Sequence, residues 1–285
     1  MSRSRESAAI EFDDQAAWGA YRPGPIIGVP LGIAHRLPYL LKPLTKILRR
    51  PAKYLARTPL DLVIWGLKLR LLPRGNLSEQ KFYTAPQLFD PDEFAVLARV
   101  LATGGVFVDV GANAGIYSYW ATQCMTKGGR ILAVEPDPEM RRRMAFNIAT
   151  NDLHQIEICA LALSDHDGEA VLQVNPAQRG TNTLDTDEAN RAGGAREMLT
   201  VPVTTLLALL TERGIGHLDV LKIDIEGHEP PVLRHFLTHA PEALWPRAVI
   251  SEFKEQTASD ILRLLVDCGY KCRKSNKLNF IFERG

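Results

Sequence analysis

"VFVDVGANAG", residues 106–115, decides how this chain is read. A short apolar run ending in Asp109 and Val110 has the pattern of a buried strand. Gly111 and Gly115 then flank a tight turn, and the apolar run "IYSYWATQCM" (116–125) follows. Glycine lets a backbone approach a ligand with no Cβ in the way. The next helix N-terminus offers N–H groups without intrahelical partners. Twenty residues beyond Gly115, the strand "RILAVE" (130–135) ends in Glu135, placed to accept hydrogen bonds from ribose hydroxyls. A dinucleotide fingerprint would need glycine where Asn113 stands and another just past Gly115. An acid before the loop also repels phosphate. Asp109 instead suits a cationic or zwitterionic ligand, such as the amino acid part of S-adenosylmethionine.

Outward from this stretch the pattern is regular. "DPDEFAVLARVLATGG" (90–105) reads as a helix capped by Asp90. Strands are expected at "IEICALAL" (156–163), "EAVLQV" (169–174), "LTVPV" (199–203), "LDVLKIDI" (218–225) and "RAVISEF" (247–253). Helical runs follow at "PEMRRRMAFNIATN" (138–151), "TLLALLTERG" (205–214), "PPVLRHFL" (230–237) and "ASDILRLLVDCG" (258–269). "YKCRKS" (270–275) and "LNFIFE" (278–283) read as a terminal hairpin. Strands alternating with helices mean crossover units and a mostly parallel, open, doubly wound sheet. Within this frame Arg141–Arg143 read as the exposed side of a helix, and Tyr119 and Trp120 as core. His217, His235 and His239 read as surface or turn residues.

The chain has 285 residues, 46% hydrophobic and 24% charged, which is ordinary for a globular protein with a real core. A net charge of +1 gives no reason to expect nucleic acid as partner. Cys124, Cys159, Cys268 and Cys272 lack metal-ligand spacing and read as reduced thiols, so a cytoplasmic setting is expected. Arg3 and Arg5 precede no apolar segment of a secretory signal. Prolines at 23, 25, 30, 38, 43 and 51 make residues 1–55 an irregular, partly helical extension that packs on the main domain or oligomerises through it. From Lys42 to Arg74 stand nine Lys/Arg and one acid, Asp61. That stretch is either a solvated basic face or a peripheral membrane contact, and the prolines favour the solvated face. "DLVIWGLKLRLLP" (61–73) fits a hairpin or one bent strand.

A second stretch carries chemistry. In "LKIDIEGHEP" (221–230), Asp224, Glu226 and His228 face the same way if extended geometry persists. A metal site, an acid–base pair, a cofactor clamp and a solvated turn all fit these residues. With Glu252 at the end of the next strand, Asp224 and Glu226 would form an oxygen site for Mg2+, although the spacing does not demand one.

The combination of "FVDVGANAGIYS" (107–118), "VEPDP" (134–138), "ALSDHDG" (162–168), "RGTNTL" (179–184) and "LDVLKIDIEGHEPPVL" (218–233) resembles the FkbM family of S-adenosylmethionine-dependent methyltransferases. The likeness reaches back to "GNLSEQKFYTAPQLFDPDE" (75–93) and covers roughly residues 60 to 285. It implies a Rossmann-like class I sheet of seven strands, six parallel and one antiparallel, over residues 56–285. By resemblance, Asp109, Gly111, Asn113 and Gly115 belong to the cofactor loop and Glu135 is the ribose acid. Ser164 and Asp165 lie beside adenine, and Asp224 stands near the sulfonium and the acceptor. Leu207 departs from the aspartate that the family often has there, while Thr204 or Thr205 can still cap the helix. The resemblance further implies O-methylation of a sugar, glycan or secondary-metabolite hydroxyl. Asp224 is then the first candidate base and His228 the second. Residues 179–197 are either a disordered excursion or a lid over the acceptor. A nicotinamide-dependent oxidoreductase and a non-catalytic glycan-assembly module are the competing readings.

Overall fold

Proline starts helices in this protein as well as limiting them. Helices α1 (Pro25–Ala34), α2 (Lys42–Leu48) and α3 (Arg50–Leu55) each carry proline in the first turn. There the missing N–H costs nothing and φ is already set. Next come the strands β1 (Leu60–Ile64) and β2 (Leu67–Leu71), an antiparallel hairpin turned by Trp65 and Gly66, both at positive φ. A computed structural model of the chain describes residues 10–252, 254–275 and 279–285. Arg3, Arg5 and the strand-end residues Phe253 and Leu278 lie outside the described residues.

The alternating part begins with α4 (Leu77–Thr84) and α5 (Pro91–Val100). It continues through β3 (Val106–Val110), α6 (Ile116–Cys124), β4 (Arg130–Val134), α7 (Pro138–Thr150) and β5 (Ile156–Cys159). The elements β6 (Ala162–Ser164), β7 (Gly168–Val174), α8 (Thr186–Ala192) and β8 (Glu197–Thr205) follow. The chain then forms α9 (Leu206–Glu212), β9 (Val220–Ile223), α10 (Glu229–His239) and β10 (Ala248–Glu252). It ends in α11 (Ala258–Asp267), β11 (Tyr270–Ser275) and β12 (Asn279–Arg284).

Seven of these strands form one sheet in the order β11-β12-β10-β9-β3-β4-β5. Strands β3, β4, β5, β9 and β10 are parallel, β12 is antiparallel to β10, and β11 is antiparallel to β12. Six strands therefore point one way and β12 opposes them, as expected of a class I methyltransferase sheet. Every residue of β3 and β9 is buried, because helices cover both faces. Phe107 and Val220 pack with Phe94, Tyr119 and Met144 of α5, α6 and α7. Val108 and Leu221 pack with Leu209, Phe236 and Ile261 of α9, α10 and α11. The chain runs outward from β3 to β5 and returns to β9 beside β3, which opens a crevice at the carboxyl ends of these two strands.

Several expectations need correction. "IEICALAL" is two strands: the Leu161 N–H turns back to the Cys159 carbonyl, and β6 leaves for a separate sheet of order β6-β8-β7. The strand in "LKIDIEGHEP" stops at Ile223, because Glu226 and Gly227 take positive φ. Arg143 is buried, bonded to Glu79 at 2.6 Å and to Glu139 at 2.9 Å, so this arginine does not face solvent. Asp90 does not cap α5: its φ is +37° and its carboxylate accepts from the Tyr117 hydroxyl at 2.8 Å. Thr205 does cap α9, through the Ala208 N–H at 3.1 Å.

The hairpin is joined to the rest by buried polar contacts. Asn147 of α7 accepts from the Arg70 N–H at 2.7 Å and donates to the Arg70 carbonyl at 3.1 Å, which covers an open strand edge. The Arg70 guanidinium is fully buried and forks onto both oxygens of Asp61 at 2.7 and 2.9 Å. Its other N–H groups reach the carbonyls of Asp13, Ala16 and Ala17, so one side chain holds the N-terminal segment to the hairpin. Burial works against ionised Asp61. The Arg70 fork and the N–H groups of Tyr21 and Gly19 outweigh it and hold the carboxyl below the usual range. Arg70→Met leaves that carboxylate without its cation and should lower unfolding free energy by about 3–5 kcal/mol. Urea denaturation checks this, and a loss under about 1 kcal/mol would contradict it.

Candidate active site

The crevice between the ends of β3 and β9 opens into a cavity of about 260 Å³. Toward β4 it is lined by Gly111, Asn113, Glu135 and Leu163, and toward β10 by Asp224, Glu226 and Glu252. Asp90, Tyr117 and Lys222 complete the wall between them.

The β3 loop builds the first side. Gly111 (φ +72°) and Asn113 (φ +53°) are left-handed, which turns the chain sharply after Val110. A Cβ on Gly111 would lie 2.0 Å from the Asp224 carbonyl oxygen, and one on Gly115 would lie 2.8 Å from the Tyr119 ring. Both glycines are thus required by contacts within the protein. Of the two, only Gly111 lines the cavity. Glu135 accepts from the Asn113 N–H and the Asp137 N–H, each at 2.8 Å, one on each oxygen. Burial outweighs those two bonds and pushes its carboxyl up to about 7.

Asp109 takes a different place from the one expected. It is fully buried behind the loop and does not line the cavity. One oxygen accepts from Ser118 at 2.8 Å, and the other accepts no hydrogen bond. Its opposite charge is Lys222, its register partner on β9, with Nζ 3.6 Å away. The same Nζ lies 3.4 Å from Asp224 and donates to the Gly111 carbonyl at 3.0 Å. Burial pulls the Lys222 pKa down, but Asp224 and Asp109 outweigh burial and raise it, so the ammonium persists. Burial raises the Asp109 pKa against the pull of Lys222.

Toward β10 the site is acidic. Carboxylate oxygens of Asp224, Glu226 and Glu252 lie within 4.8 Å of one another. Glu226 is left-handed at φ +57°, a backbone strain that places its carboxylate here. The Lys254 ammonium lies 2.6 Å from Glu226 and 3.8 Å from Glu252. Burial, then the charge of Asp224, raises both glutamates above the usual carboxylate range, Glu252 further than Glu226. Glu229, fully buried, closes the turn by accepting from the N–H groups of Ile225 at 2.8 Å and Gly227 at 3.1 Å.

Besides Asp109 and Gly115, three expected site residues stand apart from the cavity lining. The His228 imidazole lies 3.1 Å from the Ser164 hydroxyl and does not line the cavity, because the strand ended five residues earlier. Ser164 and Asp165 also lie off the lining, where Ala162 and Leu163 are found instead. Asp165 is bonded to His166 at 2.8 Å near the surface. Of the candidate lid, residues 179–184 line the cavity. Arg179 and Asn182 reach Asp137 at 2.7 and 2.9 Å, and Thr183 donates to the Glu226 carbonyl at 3.0 Å. Sequence reasoning misses Lys222, Lys254, Asp137 and the Asp90–Tyr117 pair. The signal for Lys222 was a lysine inside a strand expected to be buried on both faces.

Residues 109–272 match the Methyltransferase FkbM domain. Methyltransferase sdnD of Sordaria araneosa is 29% identical over 160 residues, 47% of this chain and 61% of that protein. AMB antimetabolite synthetase AmbE of Pseudomonas aeruginosa is 25% identical over 189 residues, 55% of this chain and 9% of that protein. The chain therefore matches less than two thirds of either relative's length. The crystal structure of Methyltransferase FkbM from Methylobacillus flagellatus KT is 14% identical with a TM-score of 0.39, over 62% of this chain and 42% of that one. The domain match takes in more than half of the 285 residues, and on it the protein belongs to the FkbM methyltransferase family, whose cofactor is S-adenosylmethionine.

Proposed function

We propose that the protein methylates a hydroxyl group of a sugar, glycan or secondary metabolite. The carrying observation is the placement of Asp224, partly exposed in the cavity between Glu135 on one side and Glu252 on the other. AmbE is an antimetabolite synthetase, which supports the secondary-metabolite side of this reading. Family membership sets the nicotinamide alternative aside.

The residues fit the cofactor. After its two backbone bonds Glu135 keeps acceptor capacity for a pair of hydroxyls. Bound S-adenosylmethionine supplies a methyl group already activated on a sulfonium. What remains for the protein is orientation and removal of the acceptor proton. Asp224 takes the proton, oriented by Lys222 at 3.4 Å. Glu252, kept protonated by burial and by the charges of Asp224 and Glu226, can donate a hydrogen bond to an acceptor oxygen. Residues 179–184 are assigned to cover the bound molecules. We assign the positive charge among the three acids to Lys254, which supports a reading of transfer without a divalent ion at this cluster.

Asp224→Asn should lower kcat by about 10²–10⁴-fold. The assay uses methyl-labelled cofactor and glycan and metabolite fractions as acceptors, and activity within a few-fold of wild type would remove Asp224 as base. Cofactor affinity should rise with pH, because hydroxyl donors favour ionised Glu135. Below its value of about 7 the rise is about tenfold per pH unit, and above it the curve flattens. In the ligand-free protein the sign is opposite. The folded value lies above the ordinary 4.5, so Glu135 stabilises the fold at low pH and that contribution is lost as pH rises through about 7. Calorimetry across this range should show a weak, flat profile for Glu135→Gln; a wild-type profile in the variant would contradict the assignment. Chelation should leave turnover unchanged, whereas loss restored by Mg2+ would return the three acids to a metal site.

A further inference from the structure

From Gln15 to Leu60 the chain carries eight Lys/Arg and no acid. The same segment exposes large apolar side chains that a folded protein ordinarily buries. On α1, Ile26, Val29 and Ile33 recur at i, i+3 and i+7, so they form one helical stripe, and all three are exposed. The opposite face, Leu31 and Ala34, is buried. On α2 and α3 only Thr45 and Ala52 are buried, while Leu44, Ile47, Tyr54 and Leu55 face outward. Leu40, between α1 and α2, is 88% exposed. Leu31, Ala34, Thr45 and Ala52 are the buried residues of these helices, and most of their large apolar side chains stay on the outside, unlike helices whose partners all lie within the fold.

We propose that helices α1 to α3 form a docking surface for an anionic phospholipid bilayer. Charge selects this occupant. Lys46, Arg50 and Lys53 are exposed among the apolar side chains, and anionic headgroups complement an apolar face rimmed by cations with no acid. No helix among the described residues is long and apolar enough to cross a membrane, so the contact is interfacial. The prolines do not remove these faces: Pro25, Pro43 and Pro51 stand in first turns, and α1 continues past its interior Pro30 to Ala34 with Ile26, Val29 and Ile33 exposed. The surface also differs from the basic stretch 42–74 read from sequence. Residues 60–72 are mostly core, including Leu69 and the fully buried Arg70, and the docking face lies at 26–55 instead. It is coupled to the active site: Gln87 donates to the Ala34 and Leu37 carbonyls, and His35 bonds the Tyr83 carbonyl. The 77–90 segment held in this way supplies Leu77, Lys81 and Asp90 to the cavity.

Flotation of the full chain with vesicles of phosphatidylcholine alone, and with an equal part of phosphatidylglycerol, tests the proposal. The protein should float with the anionic vesicles only, and raised salt should release it. Lys46→Glu with Arg50→Glu should weaken binding by at least about 25-fold, from about fivefold per cation removed. Leu40→Glu with Ile47→Glu should abolish flotation, with cofactor affinity and melting temperature unchanged. Equal binding to both vesicle types, or to neither, would overturn the proposal. So would sedimentation showing a dimer that Leu40→Glu with Ile47→Glu dissociates, since the face would then be covered by a second copy.

Discussion

A single buried ammonium organises the centre of this molecule. Lys222 sits on a strand with every residue buried, opposite Asp109 in register, and it reaches Asp224 and the Gly111 carbonyl from there. Without Lys222, Asp109 would be a buried carboxylate with only Ser118 beside it, an expensive state. With it, the charge of the β3 end, the turn of the glycine loop and the Asp224 end of β9 are fixed against one another. The register of β3 on β9 therefore has a chemical consequence. A slip of one residue would turn Lys222 to the opposite face of the sheet and separate the two acids that it joins.

The acidic end of the cavity has the same logic in a second form. Three carboxyl groups crowd within a few ångströms, and Lys254 supplies the cation beside them. Crowding keeps Glu252 and Glu226 from ionising together with Asp224 at no cost. Asp224 is thereby paired with Lys222 and Glu226 with Lys254, while burial and the neighbouring charges favour the protonated form of Glu252. Such a set can accept and donate hydrogen bonds to a polyhydroxylated molecule, whereas three full negative charges could only accept them.

Much of this is legible in the chain alone, for physical reasons that differ by element. The parallel sheet is legible because strand and helix periods alternate from Val106 onward. Glu135 is legible because its distance from the loop is set by one crossover unit. What escapes is whatever depends on where a strand stops. The alternation in "LKIDIEGHEP" continues past Ile223, but Glu226 and Gly227 at positive φ end it and swing His228 toward Ser164. The apolar run 156–163 likewise hides the turn at Leu161 that sends β6 to a second sheet. Pairings across long stretches, Arg70 with the carbonyls of Asp13, Ala16 and Ala17 above all, have no local signal. The N-terminal prolines show the converse. They read as breaks, yet Pro25, Pro43 and Pro51 mark helix starts, and Pro30 sits inside α1.

The close approach of Gly111 to β9 changes what that residue reports. Its missing side chain makes room for the Asp224 carbonyl, so the loop glycine is a spacer in the seam between two central strands. Enlarging it by one methyl group would wedge β3 away from β9 and move Asp224 with the displaced carbonyl. Loss of ligand affinity after such a change would therefore measure the opening of the sheet, and a tight-fitting contact between this glycine and the ligand could not be deduced from it.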